Sequence, residues 1–246
     1  MSFREGEFIL LVYEDKRYLK RLTKDFSLNV GKDVIRFTDI VDKPPGSSYR
    51  GFCLLKPTLE DIILLGFERK TQIVYPKDSF YIAFKMLVNR DSRVLEFGTG
   101  SGAFTAVLSH LANEVWTYEA RAEFYSRALK NWEKFGLCKN VKAFHMDFLQ
   151  AELEESFFDG AFVDVKDPNP YIEKVWKVLR PGAILASLLP TANQLSSVIN
   201  KLKEGFCSVE VLEILHRYYK TNPERIRPKD TMVGHTGYVL FARKRI

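Results

Sequence analysis

Arg93-Val-Leu-Glu-Phe-Gly-Thr-Gly-Ser-Gly102 is the stretch on which the fold turns. Residues 93–97 form a short apolar run with one acid inside it, of the kind that fills a buried strand. Residues 98–102 place three glycines at alternate positions, which allows a tight turn and close approach of the backbone to a ligand. The run that follows, residues 103–111, is apolar enough for a helix packed on a sheet. Outward from this unit the same alternation recurs. Strands are expected at 114–118, 141–145, 158–164 and 182–187, and helices at 122–135, 171–179 and 193–203. Residues 209–215 and 237–242 should close the sheet as an antiparallel pair. Strands alternating with helices of this length specify an α/β fold, its sheet mostly parallel and covered on both faces.

Upstream, the pattern differs. Glu7-Phe-Ile-Leu-Leu-Val-Tyr13 and Phe26-Ser-Leu-Asn-Val30 are short apolar or alternating runs, and residues 29–33 and 43–48 supply turn chemistry. Residues 1–55 are therefore read as a small β domain. Residues 56–88 are read as a connector with leading helices: Thr58 caps the first, with Asp61 three positions on, and the second, residues 77–88, opens just after Pro76. Residues 89–246 make the main domain.

The chain has 246 residues, 46% hydrophobic and 28% charged, with a formal net charge of +6. These values describe a folded globular protein and exclude fibrous and disordered classes. Residues 1–24 mix acids and bases and hold no clean apolar stretch of signal-peptide length, and no run approaches membrane-spanning length. A cytoplasmic protein with no membrane partner is expected. Cys53, Cys138 and Cys207 are single and widely spaced, which is no disulfide framework, and are read as small buried hydrophobes. The four histidines are equally scattered, and no metal site is expected. The excess positive charge lies in residues 216–246, with eight Lys/Arg against two acids. That localisation points to a polyanionic partner, with a basic tail of no special use as the bland alternative. His216-Arg-Tyr-Tyr-Lys220 and Arg225-Ile-Arg-Pro-Lys229 interleave aromatics with cations, a composition suited to an RNA backbone and a splayed nucleotide.

Gly98, Thr99, Gly100, Ser101 and Gly102 are the candidate cofactor loop, with Glu119 at the end of the next strand as the candidate ribose ligand. Glu96 decides between cofactors. A dinucleotide would bring its pyrophosphate to the helix N-terminus, where a nearby carboxylate opposes it. S-adenosylmethionine carries no phosphate, and its ammonium and sulfonium groups are favoured by Glu96. Asp147 is a candidate partner of the adenine amino group with Phe148 against the ring; the competing reading of Asp147 is a solvated loop residue. Asp164 ends the fourth strand, where ligands gather in open α/β sheets. A carboxylate there suits methylation of adenine N1, because it aligns the exocyclic amine and stabilises the developing positive charge. Asp167 is an alternative for part of that role. Tyr75 is a candidate wall for a flipped base, or else a core residue.

Thr71-Gln-Ile-Val-Tyr-Pro-Lys-Asp78, Leu95-Glu-Phe-Gly-Thr-Gly-Ser-Gly102, Tyr118-Glu-Ala-Arg121, Arg227-Pro and Met232-Val-Gly-His-Thr-Gly-Tyr238 together resemble the tRNA (adenine-58-N1)-methyltransferase family over nearly the whole chain. The resemblance implies a Rossmann-like class I methyltransferase sheet of seven strands with a C-terminal antiparallel strand, beside the small N-terminal β domain. It also implies S-adenosylmethionine as donor, N1 of the T-loop adenosine of tRNA as acceptor, no DNA, and a homotetramer. By position, Asp164 would be the catalytic aspartate and Tyr75 would line the adenine pocket. The chain departs from the family's pattern at Lys166 and Asn169, and has no aromatic near Leu189-Pro190. A methyltransferase of the same fold acting on a protein or small molecule stands as the alternative, as does a non-catalytic tRNA-binding subunit.

Overall fold

A computed structural model describes residues 2–30, 33–70 and 72–246. Gly31 and Lys32, inside the expected turn at 29–33, and Thr71 of the motif above lie outside the described residues. Contacts divide the chain into two compact units, Met1–Phe67 and Glu68–Ile246. Residues 56–67 of the expected connector thus pack with the first unit and 68–88 with the second.

The first unit is all but entirely β. Strands β1 (Phe8–Tyr13), β2 (Lys16–Arg21), β5 (Ser48–Tyr49) and β6 (Phe52–Leu55) form an antiparallel sheet in the order β2-β1-β6-β5, and β3 (Ser27–Val30) pairs with β4 (Asp33–Arg36) as a hairpin. Helix α1 (Phe37–Ile40) follows β4. The sequence reading missed β2 because Lys16-Arg-Tyr-Leu-Lys-Arg21 has only two apolar residues; its pairing with β1 supplies what its composition does not. Phe3, Ile9, Leu11, Leu22, Ile35, Phe52 and Leu54 form the core. Thr58 caps α2 (Leu59–Asp61) with the expected reciprocal bonds to Asp61, but the helix widens at once into a π turn over Ile62–Gly66.

The second unit carries a seven-stranded sheet in the order β12-β15-β11-β10-β7-β8-β9. Its strands are β7 (Arg93–Phe97), β8 (Glu114–Tyr118), β9 (Val141–Phe144), β10 (Phe158–Val163), β11 (Leu179–Leu189), β12 (Phe206–Leu212) and β15 (Tyr238–Lys244). Only β15 runs antiparallel, to β11 and to β12, as the last pair of expected strands requires. Helices α3 (Pro76–Lys85), α4 (Ala103–Leu111), α5 (Ala122–Phe135), α6 (Ile172–Val178) and α7 (Ala192–Leu202) complete the unit, and a short pair β13 (Tyr219–Lys220) and β14 (Arg227–Pro228) projects between β12 and β15. Helix α5 shows how the sequence encodes these pieces: Phe124, Ala128, Asn131 and Trp132 form its buried stripe, and Gly136 in the left-handed region stops it.

The chain visits β7, β8 and β9 in one direction and then returns to the other side of β7 for β10. The carboxyl ends of β7 and β10 therefore flank the crevice where the order reverses. Cys53 and Cys207 are exposed and Cys138 half-buried, which corrects the expectation of three buried cysteines. Two of the three sit at outward positions of β6 and β12, strands with a wet face, which spacing alone does not reveal. No helix among the described residues is long and apolar enough to cross a membrane.

Candidate active site

The glycine turn leaves β7 through three residues with positive φ: +88° at Gly98, +58° at Gly100 and +77° at Gly102. Each lies in the region that side chains disfavour. Close approach adds a second constraint at two of them. A Cβ on Gly98 would overlap the carbonyl oxygen of Asp164, and one on Gly102 would lie 2.6 Å from Trp132 Cε2. The turn is held from behind by α5. Asn131 Nδ2 donates to the carbonyl oxygen of Ser101 at 2.9 Å, and Trp132 Nε1 donates to that of Gly102 at 3.0 Å. Asn131 also exchanges two bonds with the backbone of Glu68, accepting from its N–H at 2.9 Å and donating to its C=O at 3.1 Å. One buried amide thus joins the turn to the start of the segment that carries Gln72, Ile73 and Val74.

Two cavities open at the carboxyl ends of β7 and β10. The first, about 200 Å³, is lined by Glu96, the turn from Gly98 to Ser101, Gln72 to Val74, Phe104 and Phe162. The second, about 370 Å³, is lined by Tyr118, Glu119, Met146, Asp147, Phe148 and Tyr171 among others. Gly98, Arg121 and Asp164 border both.

Glu96 is buried, and its Oε2 accepts from Thr105 Oγ1 at 2.6 Å. Burial pushes its pKa up to about 7, opposed by the hydroxyls of Thr105 and Thr117 and reinforced by the charges of Asp164 and Glu119. Glu119 is also buried; Oε2 accepts from Gly100 N–H at 3.0 Å, and Oε1 from the N–H and Nε of Arg121. These bonds leave lone pairs on both oxygens toward the second cavity. Arg121 lies with its guanidinium carbon 3.7 Å from the Phe124 ring centroid, so its charge is stacked as well as paired.

Asp147 accepts from Leu149 N–H at 2.8 Å and from the Tyr171 hydroxyl at 3.0 Å, which fixes the loop after β9. Phe148 is stacked on Phe97 with centroids 4.5 Å apart and lines the cavity from within an aromatic cluster. Lys174 donates to the carbonyls of Phe148, Leu149 and Ala151, holding this turn from α6.

Asp164 is placed by its backbone N–H, which donates to Phe97 O at 3.1 Å across the switch point. Its carboxyl has no hydrogen-bond partner among the described residues, and lines both cavities. Burial raises its pKa to about 6, with the nearby Arg121 cation pulling it down and Glu119 pushing it up. Asp167 bonds instead to the backbone and side chain of Asn169 and lines neither cavity, which removes it from the role left open for it. Tyr75 is likewise absent from both linings. Its hydroxyl donates to Gln72 Oε1 at 2.9 Å and its carbonyl accepts from the first turn of α3, so it meets the site through Gln72.

The donor set fits S-adenosylmethionine. A carboxyl-lined first cavity, with the buried hydroxyl of Ser101 left without a partner, matches an amino-acid and sulfonium end. The larger cavity, with Glu119, Asp147 and the aromatic side chains of Phe148 and Tyr171, matches a nucleoside end. Residues that pattern reading did not single out are Gln72, Thr105, Thr117, Asn131, Trp132 and Tyr171. Asn131 carried a usable signal, being a polar residue at an apolar position of the α5 stripe.

The two remaining motifs meet at the root of the basic excursion. Lys77 Nζ donates to Asp78, to Ile214 O at 2.6 Å and to Thr236 Oγ1 at 2.7 Å, and Thr236 donates to the fully buried Asp78 at 3.1 Å. His235 bonds Glu213 at 2.6 Å and Pro190 O at 3.1 Å, and the Glu213 carboxylate raises its pKa. Within the excursion, Lys220 and Arg227 both pair with Asp230, and Lys229 lies over the Tyr218 ring. Arg217 and Arg225 keep their charges unpaired among the described residues.

Residues 51–231 match the family model described as tRNA methyltransferase complex GCD14 subunit. The tRNA (adenine(57)-N(1)/adenine(58)-N(1))-methyltransferase TrmI of Methanocaldococcus jannaschii is 31% identical, over 95% of this chain and 94% of its own. The structure of tRNA (m1A58) methyltransferase TrmI from Aquifex aeolicus has a TM-score of 0.95 at 55% identity, covering 99% of both chains. A structure from Thermotoga maritima described as a SAM-dependent O-methyltransferase has a TM-score of 0.91 at 38% identity, covering all of this chain and 95% of that one. With the glycine turn, the paired carboxylates and the seven-stranded sheet in place, these likenesses show that the chain belongs to the GCD14/TrmI family of tRNA methyltransferases.

Proposed function

We propose that this protein transfers a methyl group to N1 of the T-loop adenosine of tRNA, position 58, with Asp164 as the catalytic carboxylate. The observation that carries the reading is the carboxyl of Asp164, unpartnered, at the switch point and bordering both cavities. S-adenosylmethionine, when bound, supplies an electrophilic methyl group. Glu96 and the glycine turn, Ser101 included, would hold its amino-acid end; Glu119, Asp147 and Phe148 would hold its nucleoside end.

Asp164 accepts a hydrogen bond from the exocyclic amine of the target adenine and so turns N1 toward the donor. As N1 is alkylated the ring becomes cationic, and the same carboxylate stabilises that charge in a site shielded from water. No covalent nucleophile is required, because N1 brings its own lone pair. Arg121 keeps Asp164 ionised near neutral pH, and Gln72, carried beside Tyr75, forms part of the wall against which the base is held.

The unpaired Arg217 and Arg225, with exposed Tyr218 and Tyr219, form the surface that receives the tRNA backbone. Phe80, Phe84 and Leu87 are exposed along one side of α3 and just beyond it, an apolar patch that supports a subunit contact of the kind the expected homotetramer needs. Methyl transfer from labelled S-adenosylmethionine to unmodified tRNA, followed by mapping of the modified nucleotide, tests the assignment. Replacing the T-loop adenosine should abolish product. Turnover on a protein or small molecule without RNA would support the alternative, for which the O-methyltransferase description of the Thermotoga protein is the specific ground.

A further inference from the structure

A third depression, of about 400 Å³, lies beside the loop that follows Asp164. Lys166, Asp167 and Asn169 of that loop form one wall, and Asn193, Gln194 and Ser197 of α7 form the other. Lys166 also lines the larger of the two cofactor-site cavities, so a single side chain stands on the rim common to both. The walls are tied together. Gln194 Nε2 donates to Lys166 O at 2.8 Å, and Asn169 Nδ2 donates both to Asp167 Oδ1 at 2.8 Å and to Ser197 Oγ at 3.0 Å. Two exposed groups in the depression have no protein partner among the described residues: the ammonium of Lys166 and the side-chain amide of Asn193.

The chemistry of this lining selects its ligand. A free polyphosphate would need several cations, and here one unpaired cation stands beside the carboxylate of Asp167. An apolar ligand would leave the Lys166 ammonium and the Asn193 amide without a partner. With no aromatic ring in the lining, a base would be held by its edge rather than by stacking. One cation with neutral groups that both donate and accept matches one phosphate and one base edge. A target adenosine turned out of its helix stays tied to its neighbours by phosphodiesters, so a neighbouring nucleotide must lie close to the mouth of the site.

We infer that the depression between the loop 166–169 and α7 binds a nucleotide adjoining the methylated adenosine, its base edge on Asn193 and Ser197 and its phosphate on Lys166. This rests on the reading of the neighbouring site as an adenosine methyltransferase. It makes the site selective for the local RNA sequence, not only for the target base.

The test compares wild type with Asn193→Ala, Asn193→Asp and Lys166→Gln on unmodified tRNA, and on tRNAs altered at the nucleotides flanking the target. Asn193→Ala is expected to raise KM for tRNA about tenfold, the loss of one good base contact, with the effect falling on KM rather than kcat. It should also flatten the preference among flanking nucleotides, while Asn193→Asp, which keeps acceptors and loses the donor, should change the order of preference. Lys166→Gln should lower the slope of log KM against log salt by about one. Binding of S-adenosylmethionine to Asn193→Ala, measured by calorimetry, should match wild type and shows that the variant is folded. An unchanged KM and an unchanged flanking preference in Asn193→Ala would overturn the inference while leaving the methyltransferase assignment standing. Failure of the wild type to methylate any RNA would overturn both.

Discussion

Gly98 and Asp164 are in such close contact that a Cβ on the glycine would lie 2.7 Å from the carbonyl carbon of the aspartate and overlap its oxygen. The first glycine of the turn therefore sets how closely the backbone of Asp164, the residue proposed as catalytic, can approach it. Gly98→Ala should lose cofactor affinity and methyl transfer together, since the substitution both strains a residue at φ +88° and displaces Asp164. The backbone strain alone is worth about 1–3 kcal/mol. Calorimetric titration with S-adenosylmethionine beside an activity assay checks this; loss of activity with full affinity would show the contact to be incidental.

Asp164→Ala should behave differently. The carboxyl makes no hydrogen bond among the described residues, so its removal leaves the turn and its carbonyl contacts in place. We expect methyl transfer to fall by about 10²–10³-fold, the usual cost of removing one electrostatic stabiliser of a transition state, with S-adenosylmethionine binding nearly unchanged. Asp164→Asn should recover orientation but not charge, and rank between alanine and wild type in single-turnover rate.

The raised pKa of Glu96 has a definite consequence for stability. A carboxyl whose folded value lies above its ordinary one is bound more favourably as the neutral acid, so the folded state gains most below about pH 4.5 and loses that advantage as pH rises through about 7. The contribution is roughly 3 kcal/mol at most. Melting temperatures of the ligand-free protein between pH 5 and 8 should decline more steeply in wild type than in Glu96→Gln. Parallel curves for the two proteins would exclude Glu96 as the group responsible.

Asn131 holds the glycine turn from behind and on the proposed reading acts as a positioning residue for the cofactor. Its replacement by Ala leaves the carbonyls of Ser101 and Glu68 without their buried donor, a loss of about 1–3 kcal/mol. We expect KM for S-adenosylmethionine to rise about tenfold or more while kcat, which on the proposed mechanism rests on Asp164, changes less. A purely structural residue would lower the melting temperature without separating the two constants.

Among the described residues Arg217 and Arg225 have neither an ion pair nor a ring contact, whereas Lys220 and Arg227 are engaged by Asp230 and Lys229 lies over Tyr218. The double variant Arg217→Ala/Arg225→Ala should raise KM for tRNA and reduce its salt slope by about two, one for each phosphate contact. Lys220→Ala should do less, because its charge is already compensated. Equal effects from all three positions would mean that the Asp230 pairs open on binding.

The sequence by itself determined the order of strands and helices from residue 93 onward, the antiparallel final pair, and the glycine turn after β7. Each of these is written locally: hydrophobic period separates strand from helix, and positive φ at Gly98, Gly100 and Gly102 is a demand that glycine meets within a few residues. It did not determine β2, whose polar residues become a strand only because β1 offers them a ladder, nor the exposure of Cys53 and Cys207, which depends on which sheet face meets water. Tertiary structure alone decided that Asp164 rather than Asp167 faces the cavities, that Tyr75 meets the site through Gln72, and that Asn131 ties the turn to Glu68 across 63 positions of chain. Such contacts join residues far apart in sequence, and the free energy that fixes them comes from burial and from hydrogen bonds made only when the sheet has closed.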